Sequence, residues 1–254
     1  GIGLVQDDVL VFPGQEVAEA AQLLVERLDA RRQFLSGPRA GVDEVHEQGA
    51  AFDMTQEFVA ESDPVGVFRA ALAGYERSVH DYTCTFEKQE RVGGRLTAEQ
   101  VTRVKFREKL FSVNMLWVKN EGKARRAVYV EGWWTGERGE KLAVVEPAGA
   151  IARLFVDDVL RPIDGPEAKK AARRRIDQFG FANSLRLILK YCDLSAERHE
   201  LDVRYVGEAA LAGRPTYLFE RRLPYTNENG LYPDRLLVVH LDKEYLLPTG
   251  CIAY

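Results

Sequence analysis

Residues 81–117 read DYTCTFEKQERVGGRLTAEQVTRVKFREKLFSVNMLW. Tyr82, Cys84 and Phe86 alternate with Thr83, Thr85 and Glu87, which places an apolar row on one face of a strand and a polar row on the other. A turn at Gly93-Gly94 follows, and then Val104 and Phe106 alternate with Arg103 and Lys105. After a charged break, Phe111, Val113, Met115 and Trp117 form a third apolar row. Strands this close in sequence pair antiparallel, because parallel neighbours need a long crossover. The stretch is the seed of a large sheet.

The pattern continues in both directions. Towards the C-terminus, residues 127–131 predict a fourth strand, and a turn with Gly132, Gly136 and Gly139 leads into a fifth at 141–145. Residues 151–163 add one or two more. The period then changes to that of helices over 167–179 and 181–192, the second with Phe181, Leu185, Ile188 and Cys192 along one side. Strand patterns return at DVRYVGEAAL (202–211), PTYLFERR (215–222), DRLLVVHLD (234–242) and CIAY (251–254), and the last is expected to run on past Tyr254.

Towards the N-terminus, Asp63-Pro64 is a helix start: the aspartate caps free amides, and proline at the first helical position sacrifices no hydrogen bond. Val65, Phe68, Leu72, Tyr75 and Val79 then mark one stripe, which the sheet must cover. Residues 42–61 are polar and weakly periodic, whereas 16–35 carry Val17, Ala21, Leu24, Leu28 and Leu35 at helical spacing and end at SGPRAG. The expected division is an N-terminal helix and linker arm over 1–61 and one domain over 62–254. Its fold class is α+β, a curved antiparallel sheet with helices over the concave face.

Composition excludes several classes of function. With 35 basic and 39 acidic side chains the net charge is -4, so no long-range field favours nucleic acid. No run of apolar residues is long enough to cross a membrane as a helix. The opening GIGLVQDDVLVFPGQ has no basic segment followed by an apolar one, so no leader is read in it.

Catalytic and metal chemistry find little support. His46, His80, His199 and His240 have no second ligand at metal-binding spacing. His80-Asp81 and the same-face pair His240 and Asp242 lack a companion nucleophile motif, so a hydrolase would need them to converge with one in space. Cys84, Cys192 and Cys251 lie far apart with no C-x-x-C; buried thiols are the plain expectation, with one disulfide left open. The run KKAARRR (169–175) gives a positive helix face, more simply a solvated one given Asp164, Glu167 and Asp177 around it. The protein is expected to be non-enzymatic, with no cofactor and no metal.

The aromatic residues are more informative. Trp117, Tyr129, Trp133 and Trp134 gather around the third and fourth strands, with Phe106, Phe111 and Met115 nearby. They either fill the core or line an apolar groove between sheet and helices. The candidate ligand-binding set is Phe86, Val104, Phe106, Val113, Met115, Trp117 and Tyr129.

YTCTFEKQERVGGRL (82–96), Glu99-Gln100, KFREKLFSV (105–113), YVEG (129–132), LAGRPTY (211–217) and LDKEYLLP (241–248) together resemble the bacterial family called domain of unknown function 1571. The resemblance spans roughly 75–254 and leaves 1–61 outside. That family is similar in pattern to the LolA/LolB-like lipoprotein carriers and to RseB-like sensors. The resemblance implies an incomplete, half-open β-barrel whose apolar concave face accepts acyl chains. It also implies a periplasmic or secreted location, where a disulfide is chemically permissible. The expected partners are a lipid or lipoprotein acyl chain or another envelope protein, with no nucleic acid. The rival is a structural or partner-binding module whose own side chains fill the interior.

Overall fold

Twelve strands form one antiparallel sheet, in the order β8-β7-β6-β5-β4-β2-β1-β12-β11-β10-β9 with β3 beside β2. The computed structural model describes residues 8–11 by their backbone, and 60–149, 158–227 and 230–254 in full. The strands are β1 (Asp8–Val11), β2 (Asp81–Val92), β3 (Arg95–Leu96), β4 (Gln100–Arg107), β5 (Ser112–Lys119), β6 (Ala124–Val130), β7 (Leu142–Pro147), β8 (Val159–Pro162), β9 (Asp202–Leu211), β10 (Arg214–Arg222), β11 (Leu236–Asp242) and β12 (Pro248–Ala253). The row ends at β8 and β9, so the sheet does not close into a barrel. Each strand is rotated about 20–25° from its neighbour by the intrinsic twist, and a row this long must coil around one face.

That face carries the helices α1 (Pro64–Ser78) and α3 (Phe181–Glu197), while the short α2 (Pro166–Ala171) buries nothing. As the sequence predicts, the Asp63 carboxylate accepts the Gly66 N–H at 2.9 Å and Pro64 opens α1. The stripe is rotated slightly from expectation. Val67, Phe68, Ala71 and Tyr75 are buried, and Val65, Leu72 and Val79 pack at its margin. On α3 the expected Phe181, Leu185, Ile188 and Cys192 are all buried, joined by Ala182, Leu189 and Ser195.

The core has two parts. One lies under β2–β7 and contains Tyr75, Tyr82, Phe86, Phe106, Val113, Tyr129 and Phe181. The other lies under β9–β12 and contains Phe68, Leu185, Ile188, Tyr217, Phe219, Val239 and Leu241. Both helices contribute to both parts. Arg69 at the start of α1 pairs with Asp193 near the end of α3, and Glu76 pairs with Arg186 near its start at 2.8 Å, so the two run antiparallel across the seam.

Three expectations are corrected. Residues 8–11 do not lie in an arm outside the domain; they form β1, which pairs with β2 on one side and β12 on the other. Ala60, read as linker, is fully buried in the second core. The helix expected over 167–179 stops at Ala171, where Ala172 turns extended, and the chain resumes as a 3-10 turn at Ile176–Gln178. A helix of which no residue is buried has nothing to pack on. Ile176 and Phe179 instead leave the helical path and reach the first core. The helix expected at 16–35, residues 42–59 of the expected linker, and residues 151–157 of the expected strand region lie outside the described residues.

Candidate functional site

The inner face of β2–β6 is built by register. Tyr82, Phe106, Val113 and Tyr129 stand in one cross-strand row, Cys84, Val104, Met115 and Ala127 in the next, and Phe86, Thr102 and Trp117 in a third. All seven residues of the expected ligand set are therefore brought together. Six of them are 1–9% exposed, and Trp117 is half-buried at the margin of the cluster.

Their neighbours come from the chain itself. Phe106 stacks on Tyr82 at 4.7 Å between ring centroids, meets Phe111 edge-on at 5.3 Å, and lies 6.1 Å from Phe179. Phe86 is edge-on to Phe179 at 5.3 Å, and Tyr82 meets Phe181 at 4.9 Å. The segment from Ile176 to Phe181 thus sits over the aromatic face as a plug. Tyr82, Phe179 and Phe181 were absent from the expected set. Tyr82 obeys the same alternation as Phe86, whereas Phe179 was hidden inside an expected helix. Trp133 and Trp134 do not join the cluster: they pack on each other in the turn after β6, with Trp133 65% exposed.

Gly180 makes this seating possible. Its φ is +117°, and a Cβ there would come within 3.1 Å of the Phe106 ring. The plug is further tied by the nearly buried Asp177 carboxylate, which pairs with the exposed Lys141 at 3.2 Å and with Arg175 at 2.9 Å.

Polar groups on this face are few. Tyr75 donates to Glu108 at 3.0 Å, and burial followed by the Glu108 charge pushes its phenol upward. Burial alone pushes the Cys84 thiol up to about 12. The Trp117 Nε1 atom is buried and has no hydrogen-bond partner among the described residues. An unsatisfied donor in an interior of this kind calls for an explanation.

The two histidine pairs lie on different halves of the sheet, at the start of β2 and on β11. His240 Nδ1 lies 3.1 Å from Thr216 Oγ1, but the threonine hydroxyl donates to the Ala209 carbonyl and is fully buried. Asp242 is bound instead by both arms of Arg214, at 2.5 and 2.9 Å. Burial lowers the His240 pKa from its ordinary value, which favours the neutral ring. His80 is exposed at the end of α1, on the other half of the sheet. All three cysteines are free and buried, so no disulfide joins them. Among the described residues, no group of three or more His, Cys, Asp or Glu side chains is placed to hold a metal. None of the described helices is long and apolar enough to cross a membrane. The basic run is divided, with Lys169 and Lys170 on α2 and Arg173 to Arg175 beyond its end, so it forms no single helical face.

The Desulfovibrio piger ATCC 29098 structure of a DUF1329 family protein is similar at 13% identity with a TM-score of 0.36, over 74% of this chain and 72% of that one. No curated protein matches the sequence. A family model does match residues 79–254, which take in every strand from β2 to β12. The chain therefore belongs to the family described as "Protein of unknown function (DUF1571)".

Proposed function

We propose that this chain is a non-catalytic protein of the bacterial envelope that binds a lipid, a lipoprotein acyl chain or another apolar ligand. The ligand would lie between the inner face of β2–β6 and the plug at Ile176–Phe181. The observation that carries this proposal is the Trp117 indole N–H, buried at the margin of the aromatic rows with no acceptor among the described residues. Leaving such a donor unpaired costs about 1–3 kcal/mol. A carbonyl or carboxylate on the ligand head would recover that energy, and each buried acyl methylene would add about 0.8 kcal/mol. The resemblance to LolA/LolB-like carriers supports a periplasmic or secreted location.

A second reading has its own support. The ring contacts of Phe106 with Tyr82, Phe111 and Phe179 favour a module whose side chains fill its interior and whose partner is another protein.

Native mass spectrometry of protein purified from a bacterial host, followed by lipid extraction and titration with a fluorescent fatty acid, separates the two. The ligand reading expects a recovered amphiphile, saturable uptake, and uptake weakened about fivefold or more in Trp117→Phe, which keeps a ring and removes the donor. Recovery of no amphiphile together with no uptake would favour the filled module. Unchanged uptake by folded Trp117→Phe removes that residue from the site.

A further inference from the structure

We infer that the outer face of β4–β8 is a docking surface for an anionic lipid bilayer. Lys105, Asn114, Val128, Val144 and Leu160 lie in register across five strands, on the side of the sheet away from the helices. The row changes character along its length. Lys105 is flanked on its own strand by Arg103 and Arg107, all three exposed, whereas the other end is aliphatic, with Leu142 beside Val144 and Leu160 47% exposed.

Between the two ends lies an open depression of about 250 Å³ lined by Lys105, Arg107, Ser112, Asn114 and Val128, with Phe106 and Val113 beneath. Arg107 donates to the Ser112 hydroxyl at 3.2 Å, while the Lys105 ammonium and Asn114 amide have no partner among the described residues. The acidic groups on this face include Asp81, opposite Arg107, Glu87, opposite Val101 at the far end of β4, and Glu146, which is engaged by Arg125 and Arg126. Cations concentrated on one strand of a protein with net charge -4 give that face an orientation relative to a negative surface.

The mixed chemistry selects the partner. A bilayer offers phosphates to the lysine and arginine side chains, and an acyl boundary to Val128, Val144 and Leu160. A nucleic acid would leave the aliphatic half of the row without a partner. This inference does not rest on ligand binding by the inner face.

The test is sedimentation of the full chain with phosphatidylcholine vesicles, with and without phosphatidylglycerol, at low and raised salt. Binding is expected only with phosphatidylglycerol, weaker in raised salt. The double variant Lys105→Glu/Arg107→Glu should weaken it about tenfold or more, since each cation near such a surface contributes roughly fivefold. Leu160→Asp should weaken it at either salt concentration. Thermal melts of both variants check that the sheet is intact. No sedimentation with phosphatidylglycerol, or equal sedimentation of the folded double variant, would overturn the inference. So would a Leu160-dependent dimer in gel filtration without vesicle binding, because the face would then be an interface between copies. Intact fatty-acid uptake alongside failed sedimentation would overturn this inference while leaving the inner-face proposal standing.

Discussion

Asp242 shows how much one carboxylate can organise. It is 1% exposed, accepts two bonds from Arg214, and takes the backbone N–H groups of Glu244 and Tyr245 at 3.0 and 2.9 Å, so it fixes the turn between β11 and β12. The Tyr245 ring lies 5.0 Å from the Arg214 guanidinium and adds a cation–π contact. Asp242→Ala would leave that guanidinium largely buried, with the exposed Glu244 carboxylate at 3.0 Å as its remaining partner. A loss of about 3 kcal/mol is expected in urea denaturation, with an unchanged m-value. The sequence places Asp242 on the same strand face as His240, and the structure agrees. It does not reveal that the partner is Arg214, because two residues 28 positions apart carry no periodic signal. The segment LDKEYLLP is thus a structural clasp, and its polar residues have their work inside the fold.

At the scale of elements, the legible parts are those with one strong period. Alternation identified β2, β4 and β5 and their buried sides, and helical spacing identified α1 and α3. The reading failed between α2 and α3, where Ile176 and Phe179 are three residues apart and fit a helix as well as a 3-10 turn. Phe179 is placed by contact with Phe86 and Phe106, and Ile176 by packing on the same core, residues brought together only by the assembled sheet. The candidate site was legible as a face, because register carries the alternation from strand to strand, but its cover was not. Gly180→Ala tests the plug as an element. It forces an unfavourable φ and presses a methyl on the Phe106 ring, so it should lower stability by about 1–3 kcal/mol in a thermal melt and reduce the near-UV circular dichroism of the aromatic cluster. An unchanged spectrum and melt would mean that the start of α3 adapts without moving the rings.

At the scale of the molecule, the sheet is two halves with a shared cover. α1 and α3 span the seam on one face, and β1 closes it in the plane of the sheet. Composition and strand spacing made the α+β class and the helix-covered sheet legible. They did not reveal β1, because Asp8–Val11 is a short apolar run separated from the other strands by a long stretch of chain. Its pairing partners include the last strand of the sheet, a relation that no local pattern encodes.

That pairing gives the molecule an order in time. Val9 lies opposite Ile252 on one side and Gln89 on the other, so β1 cannot find both neighbours until β12, far along the chain, has been made. Contacts so distant along the chain are costly to form early, and the seam is expected to close after the transition state for folding. Val9→Pro, which removes a ladder N–H, should therefore speed unfolding in stopped-flow denaturant jumps and leave the refolding rate nearly unchanged. Slower refolding would instead place the seam in the folding nucleus.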